Sequence, residues 1–244
     1  MKDALNQIET LSHIKHLLTL TRFNNYLLIP IHVLEHIHTN AYQIQIGNKT
    51  IQTMSHIDLE VGVRYWGELV NAENSLQFSN LKKQPSMLQM NDFALSFEYK
   101  ILEHLFALQN LSAYMKNTVL QAMSEAKNKY EFNFLINLLT SMENQTITIP
   151  YTYASKNNFM QFQCKDEQMH FYITTNNLGA ISGVIVKHNN AFAIEVNTFF
   201  KNGFSSLMSD LENLFKPYFI HRKINLVDDI EPLYNYRSSQ SVSV

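Results

Sequence analysis

Phe171-Tyr172-Ile173-Thr174-Thr175-Asn176-Asn177-Leu178-Gly179-Ala180-Ile181-Ser182-Gly183-Val184-Ile185-Val186 is the stretch on which the reading of the fold turns. Two β-rich runs, Met169 to Ile173 and Ile181 to Val186, flank the polar pair Asn176-Asn177 and the step Leu178-Gly179. Glycine at such a step admits positive φ or a close backbone approach, with Leu178 as an apolar plug beneath it. Ala191 to Val196 follows across the turn formers His188-Asn189-Asn190, which reads as a second hairpin strand. Phe204 to Phe215 carries Leu207, Met208, Leu211 and Leu214 at helical spacing and stops at Pro217. Ile220 to Val227 then reads as a closing strand.

Upstream of this stretch, Thr146 to Tyr151 and Phe159 to Cys164 alternate apolar and polar residues and predict two further strands. Pro150 fits a strand edge or end, because it has no N–H for a ladder. Cys164 reads as a small buried apolar residue, and as the single cysteine it leaves no internal disulfide. Between residues 90 and 143 the period changes to that of helices. Phe93, Phe97, Ile101, Leu105 and Leu108 form one stripe, Asn110 a break, Leu111 to Lys127 a second helix and Tyr130 to Met142 a third.

Residues 41–80 read as β. Tyr42 to Ile46 alternates, Gly47-Asn48 signals a two-residue hairpin, and Thr50 to Met54 follows. Val63 to Val70 and Leu76 to Ser79 complete four or five short strands, which suggests a small OB-like barrel with Trp66 as a core anchor. Leu5, Ile8, Leu11, Ile14, Leu17 and Leu18 predict an N-terminal helix over 1–20. Tyr26 to Ile29 is compatible with a strand, and Pro30 with the start of a short helix running to His38. The expected fold is therefore α+β: an N-terminal helical segment (1–40), a small β-barrel module (41–86), a helical region (87–144), a C-terminal mixed β-sheet domain with one packed helix (145–230) and a flexible tail (231–244).

Composition narrows the function. The 244 residues are 45% hydrophobic, enough for a core, yet only 16% charged with a net charge of −2. There is no basic excess for nucleic acid, and Arg22, Arg64, Arg222 and Arg237 are few for phosphate recognition. No apolar run reaches a membrane span, and the first nine residues carry acids and no signal-peptide core, so a cytoplasmic location is expected. No Gly-rich phosphate loop or Gly-x-Ser-x-Gly elbow occurs.

One enzymatic pattern stands out. His32-Val33-Leu34-Glu35-His36 has the form H-x-x-E-H, which on a helix would set His32 and His36 on one face to share a zinc with Glu35 as base. The competing reading is a pair of surface or half-buried histidines. It is favoured by Pro30, which shortens any helix, and by the lack of an evident third ligand. His13 and His16 share a helical face in the same way, and Asp228, Asp229 and Glu231 form a small acidic group that reads as a solvated loop. No cofactor is expected.

The run from Phe171 to Val186, with Ala191–Val196, Phe204–Phe215 and Ile220–Val227 after it, resembles the C-terminal domain of bacterial flagellar hook-length control proteins. In that family a strand ends in a Leu-Gly turn, an alternating strand and its hairpin partner follow, then a Leu-rich helix and a short closing strand. Asp58 to Trp66, with its Val61-Gly62 turn, resembles the small β module of short relatives, which extends the likeness to about residues 41–227.

The resemblance implies a non-enzymatic protein of flagellar assembly. Its C-terminal domain would dock on the cytoplasmic part of the export switch protein and change type III export from hook-type to filament-type subunits. Hook-cap or hook proteins are further partners that it implies, as is passage through the type III apparatus. Neither nucleic acid nor membrane insertion is expected. The docking surface it points to is Asn176, Asn177, Leu178, Gly179 and Ile181. The chain departs from the family in having no long Gln- and Pro-rich half, so measuring the hook is not expected of it. The turn Lys216-Pro217-Tyr218-Phe219 also lacks the family's Gly. Two other functions remain as alternatives: a binding module in which the β barrel holds a protein or nucleic acid, and a zinc hydrolase at His32, Glu35 and His36.

Overall fold

The computed structural model describes residues 27–72, 75–188, 191–200, 209–210, 212–213, 216 and 219–236. It is a mixed α+β structure, mostly strands, in two compact units with one sheet each. The first unit holds the described residues up to Gln84, together with Asn176–Gly179 and Phe200; the second holds the rest.

In the first unit β1 (Leu28–His38), β2 (Ala41–Ile46), β3 (Lys49–Met54), β4 (Arg64–Ala72) and β5 (Ser75–Lys83) form an antiparallel sheet in the order β3-β2-β1-β4-β5. The hairpin expected at Gly47-Asn48 joins β2 to β3, and Gly47 takes φ 57, the conformation that a tight hairpin requires. Two expectations fail here. The sheet is open among the described residues, with β3 and β5 as its edges, so the barrel does not form. The reason is β1. The short helix expected from Pro30 to His38 is instead part of one 11-residue strand that takes the centre of the sheet and keeps β3 and β5 apart. Pro30 is tolerated because β1 pairs with β4 from Leu28 to His32 but with β2 only from His32 onward. Its missing N–H therefore costs no bond on the β2 side.

One face of this sheet carries a core of Ile31, Val33, Tyr42, Ile44, Ile51, Leu59 and Tyr65. The Tyr42 hydroxyl accepts from the Leu59 N–H at 3.3 Å and the Tyr65 hydroxyl from the Glu60 N–H at 3.1 Å, which fixes the β3–β4 loop to that core. Trp66 is buried, as expected of an anchor. The N-terminal helix expected over 1–20 lies outside the described residues.

The second unit is built on a seven-stranded sheet. Its strands are β6 (Phe97–Glu98), β7 (Thr146–Tyr153), β8 (Lys156–Lys165), β9 (Gln168–Thr175), β10 (Gly179–His188), β11 (Ala191–Thr198) and β12 (Phe219–Leu226), in the order β12-β11-β10-β9-β8-β7-β6. The succession β7 to β12 follows the alternating runs of the sequence. Both outermost strands are parallel to their neighbours, β12 to β11 and β6 to β7. The helix expected over Phe204–Phe215 lies mostly outside the described residues; 209–210 and 212–213 are helical.

Three α-helices lie between β6 and β7: α1 (Leu102–Phe106), α2 (Leu111–Ser124) and α3 (Lys129–Glu143). Asn110 caps α2 by accepting from the Ala113 N–H at 3.0 Å, and Asn128 caps α3 through the Glu131 N–H at 2.9 Å. The first helix is much shorter than the stripe from Phe93 to Leu108 implies. Phe97 and Glu98 extend instead to pair with Tyr151 and Thr152, so a short β contact overrides the helical period there. Leu102, Leu105 and Met115 pack on Ile149, Tyr151 and Met160, and this shared core joins the helical region to the sheet in one unit. Cys164 is exposed near the end of β8, where the strand leaves the core, and not buried as expected.

Candidate functional site

Gly179 adopts φ 71, so the turn between β9 and β10 does use glycine for a left-handed backbone. Asn176 and Leu178 are half-buried, Gly179 is buried, and Asn177 is exposed. The Asn177 carbonyl accepts from the Leu28 N–H at 2.8 Å, within the first unit. Ile181 points elsewhere: it packs with Phe171, Ile194 and Val196 on the apolar face of the second sheet. Of the five residues expected to form a docking surface, Asn177 is thus the exposed one, and Ile181 belongs to a core cluster.

The H-x-x-E-H residues lie on β1. His32 is half-buried, Glu35 and His36 are exposed, and the His36 ring stacks on Tyr42 with centroids 4.7 Å apart. A zinc shared by two histidines four apart needs a helix, which brings them one turn together. Along a strand four residues span about 13 Å, several times a zinc–nitrogen bond. No group of three or more His, Cys, Asp and Glu fit for a metal occurs among the described residues. His13 and His16 lie outside them.

A further constellation, which sequence reasoning missed, lies on the second sheet. Thr148 of β7 stands opposite Gln161 of β8, and Gln161 opposite Tyr172 of β9. Cross-strand partners share a face, so the three side chains form one row across three strands. Their exposures are 0%, 0% and 1%. The opposite face of the same strands is apolar, with Ile147, Ile149, Met160, Phe162, Phe171 and Ile173. The row is polar, and it is covered by the chain's own segment after β12.

That segment is held by main-chain recognition. The Gln161 side-chain amide donates from Nε2 to the Tyr234 carbonyl at 2.8 Å and accepts at Oε1 from the Tyr234 N–H at 3.1 Å. The side chain thereby reproduces both bonds of a peptide–peptide pair. The Ser86 hydroxyl donates to the Tyr236 carbonyl at 2.8 Å. The Tyr236 ring is buried beside Phe134, with centroids 6.0 Å apart, and Phe134 in turn stacks on Phe93. Of residues 231–236, expected to start a loose tail, Tyr236 is buried and 232–234 are half-buried.

The run is extended of necessity. From β12 to β8 there are four strand spacings, about 19 Å, for the eight residues from Val227 to Tyr234, which reach about 23 Å at full stretch. Along the way Asp229 comes near Tyr172. Burial pushes the Tyr172 phenol well above its ordinary range, and the Asp229 charge pushes it further the same way. Burial likewise raises the phenol of Tyr236, with Tyr234 adding to it and Thr148 opposing. Among the described residues the buried Tyr236 hydroxyl has no partner in good hydrogen-bond geometry. The only sequence signal for this contact was the alternation in Leu233-Tyr234-Asn235-Tyr236, two aromatics on one side of a short extended run.

No helix among the described residues is long and apolar enough to cross a membrane. No protein-family model, curated protein or solved structure matches the chain.

Proposed function

We propose that this chain acts by docking on other proteins in flagellar assembly, in the manner of a hook-length control protein. Its C-terminal sheet is then the part that contacts the cytoplasmic domain of the export switch protein, and the consequence of that contact is the change of export from hook-type to filament-type subunits. The reading rests on the order of elements after residue 168. β9 leads through a turn containing Leu178 into Gly179, at φ 71, at the start of β10; β10 and β11 form a hairpin, and β12 returns parallel to β11. A parallel return needs a crossover of a dozen or more residues, as the family's Leu-rich helix supplies between hairpin and closing strand. β12 is tied to β11 by Lys223 on Glu195 at 2.9 Å and by Asn225 on the same carboxylate at 2.6 Å. Those two bonds hold the Glu195 carboxyl below the usual range.

Within this proposal the exposed Asn177 and the adjoining turn are the contact on the chain's side. The experiment is electron microscopy of hooks from a strain lacking the gene. Overlong hooks without filaments are expected. Hooks of normal length that carry normal filaments would refute the role in export switching.

A further inference from the structure

We propose that the face over Thr148, Gln161 and Tyr172 is a binding site for an extended peptide with aromatic residues at positions i and i+2, the second a phenylalanine. In this structure Tyr234 and Tyr236 occupy it in cis. The inference does not depend on the flagellar reading.

Three observations carry it. First, one face of β7–β9 is apolar and forms the core with α1 and α2, whereas the opposite face presents a row of polar groups that are fully buried. A face meant only for packing would be cheaper as hydrocarbon, because each buried polar group must find a partner. Second, the partner that Gln161 takes is a main-chain amide, donor to carbonyl and acceptor to N–H. Such a contact reads an extended backbone without regard to its side chain, as an added strand does. Third, the cis occupant is imperfect. Among the described residues nothing around the Tyr236 ring meets its hydroxyl in good hydrogen-bond geometry, so the phenol carries a desolvation penalty that phenylalanine would not. Thr148 opposes that burial only in part, and itself accepts from Gln161 Nε2 at 3.4 Å. A segment with Phe at the second aromatic position therefore fits the site better than the chain's own, and displaces it by exchange of like contacts.

The test uses the full chain carrying Tyr236→Ala, which loosens the cis segment, and two fluorescein-labelled hexapeptides, Glu-Pro-Leu-Tyr-Asn-Tyr and Glu-Pro-Leu-Tyr-Asn-Phe, read by anisotropy. Both peptides are expected to bind. The Phe form should bind about tenfold tighter, the lower end of what an unpaired buried hydroxyl costs. Adding Gln161→Ala should weaken both about tenfold or more. Absence of binding to a Tyr236→Ala chain that keeps its circular dichroism spectrum and unfolding transition would overturn the proposal, as would binding that ignores Gln161→Ala. Should Tyr236→Ala not fold, amide exchange on the wild-type chain decides instead. The Tyr234 amide is expected to exchange at least about a hundredfold faster than the slowest β8 amides, through local release of the segment. Exchange as slow as β8 would make the segment a permanent part of the fold and overturn the site.

Discussion

Gly183→Ala is the substitution that most directly tests the packing of the second unit. Gly183 lies in mid-β10, opposite Val196 of β11. A Cβ built there meets the Glu195 carbonyl oxygen at 2.2 Å and the Phe171 ring at 2.6 and 2.9 Å. The ring contacts could yield by a small rotation. The oxygen is main chain in the adjacent strand, and real Cβ atoms do not come nearer than 3.0 Å, so β10 and β11 must part by most of an ångström. That displacement stretches the ladder bonds flanking position 183, worth about 1 kcal/mol each. It also adds an overpacking cost of about 1–3 kcal/mol. The expected loss is about 3 kcal/mol, a large part of a typical domain's stability of about 5–15 kcal/mol. Urea unfolding followed by far-ultraviolet circular dichroism is the assay. With an m-value of about 2 kcal/mol/M the midpoint should fall by about 1.5 M. A fall under about 0.3 M would show that the strands absorb the methyl without separating, and would refute the argument that glycine is required for close backbone approach.

Three other outcomes follow from particular contacts. Tyr236→Phe should raise stability by about 1 kcal/mol, because it deletes a buried hydroxyl that no described residue meets in good hydrogen-bond geometry; a loss of similar size in urea unfolding would mean that the hydroxyl is bonded after all. In the β8–β9 hairpin Asp166 and Glu167 hold φ 49 and 62, the left-handed pair that a two-residue turn demands. Glu167→Gly should therefore gain about 0.5–1 kcal/mol in thermal or urea unfolding, and a destabilised variant would contradict that account. Alkaline titration is the third. Burial first, then the charge of Tyr99, raises the Tyr151 phenol, and burial first, then Asp229, raises that of Tyr172. The unfolded chain loses these protons near pH ~10, so stability is complete below that pH and falls as pH rises through it. Phenolate absorbance should show part of the 12 tyrosines ionising only on unfolding; a single ordinary step in the folded protein would refute it.

Much of the second sheet was readable along the chain, because a half-buried strand writes its alternation locally and its turns need recognisable residues. β7 to β12 and the helices capped by Asn110 and Asn128 are of this kind. The positive φ at Gly179 follows from the Leu178-Gly179 step in the same way. What escaped had its cause far away in sequence. Phe97 and Glu98 lie on a helical stripe, and only Tyr151 and Thr152, some fifty residues on, draw them into a strand. Pro30 ended a strand on local grounds, and only the late start of pairing with β2 lets β1 pass through it. Gly183 looked like any strand residue until Phe171 and the Glu195 carbonyl were set against it.

The candidate site divides along the same line. Alternation along β8 determines, from the sequence by itself, that Met160 and Gln161 face opposite ways. It leaves open what covers each of them. Only the tertiary structure decides that the Gln161 side is closed, by a segment 73 residues further along the chain. The physical reason is that a strand's two faces are local properties, set by the geometry of successive residues, whereas their burial depends on which distant chain reaches them. Hydrogen-bond partners for a buried amide have to come from such a chain, and no period within β8 records it.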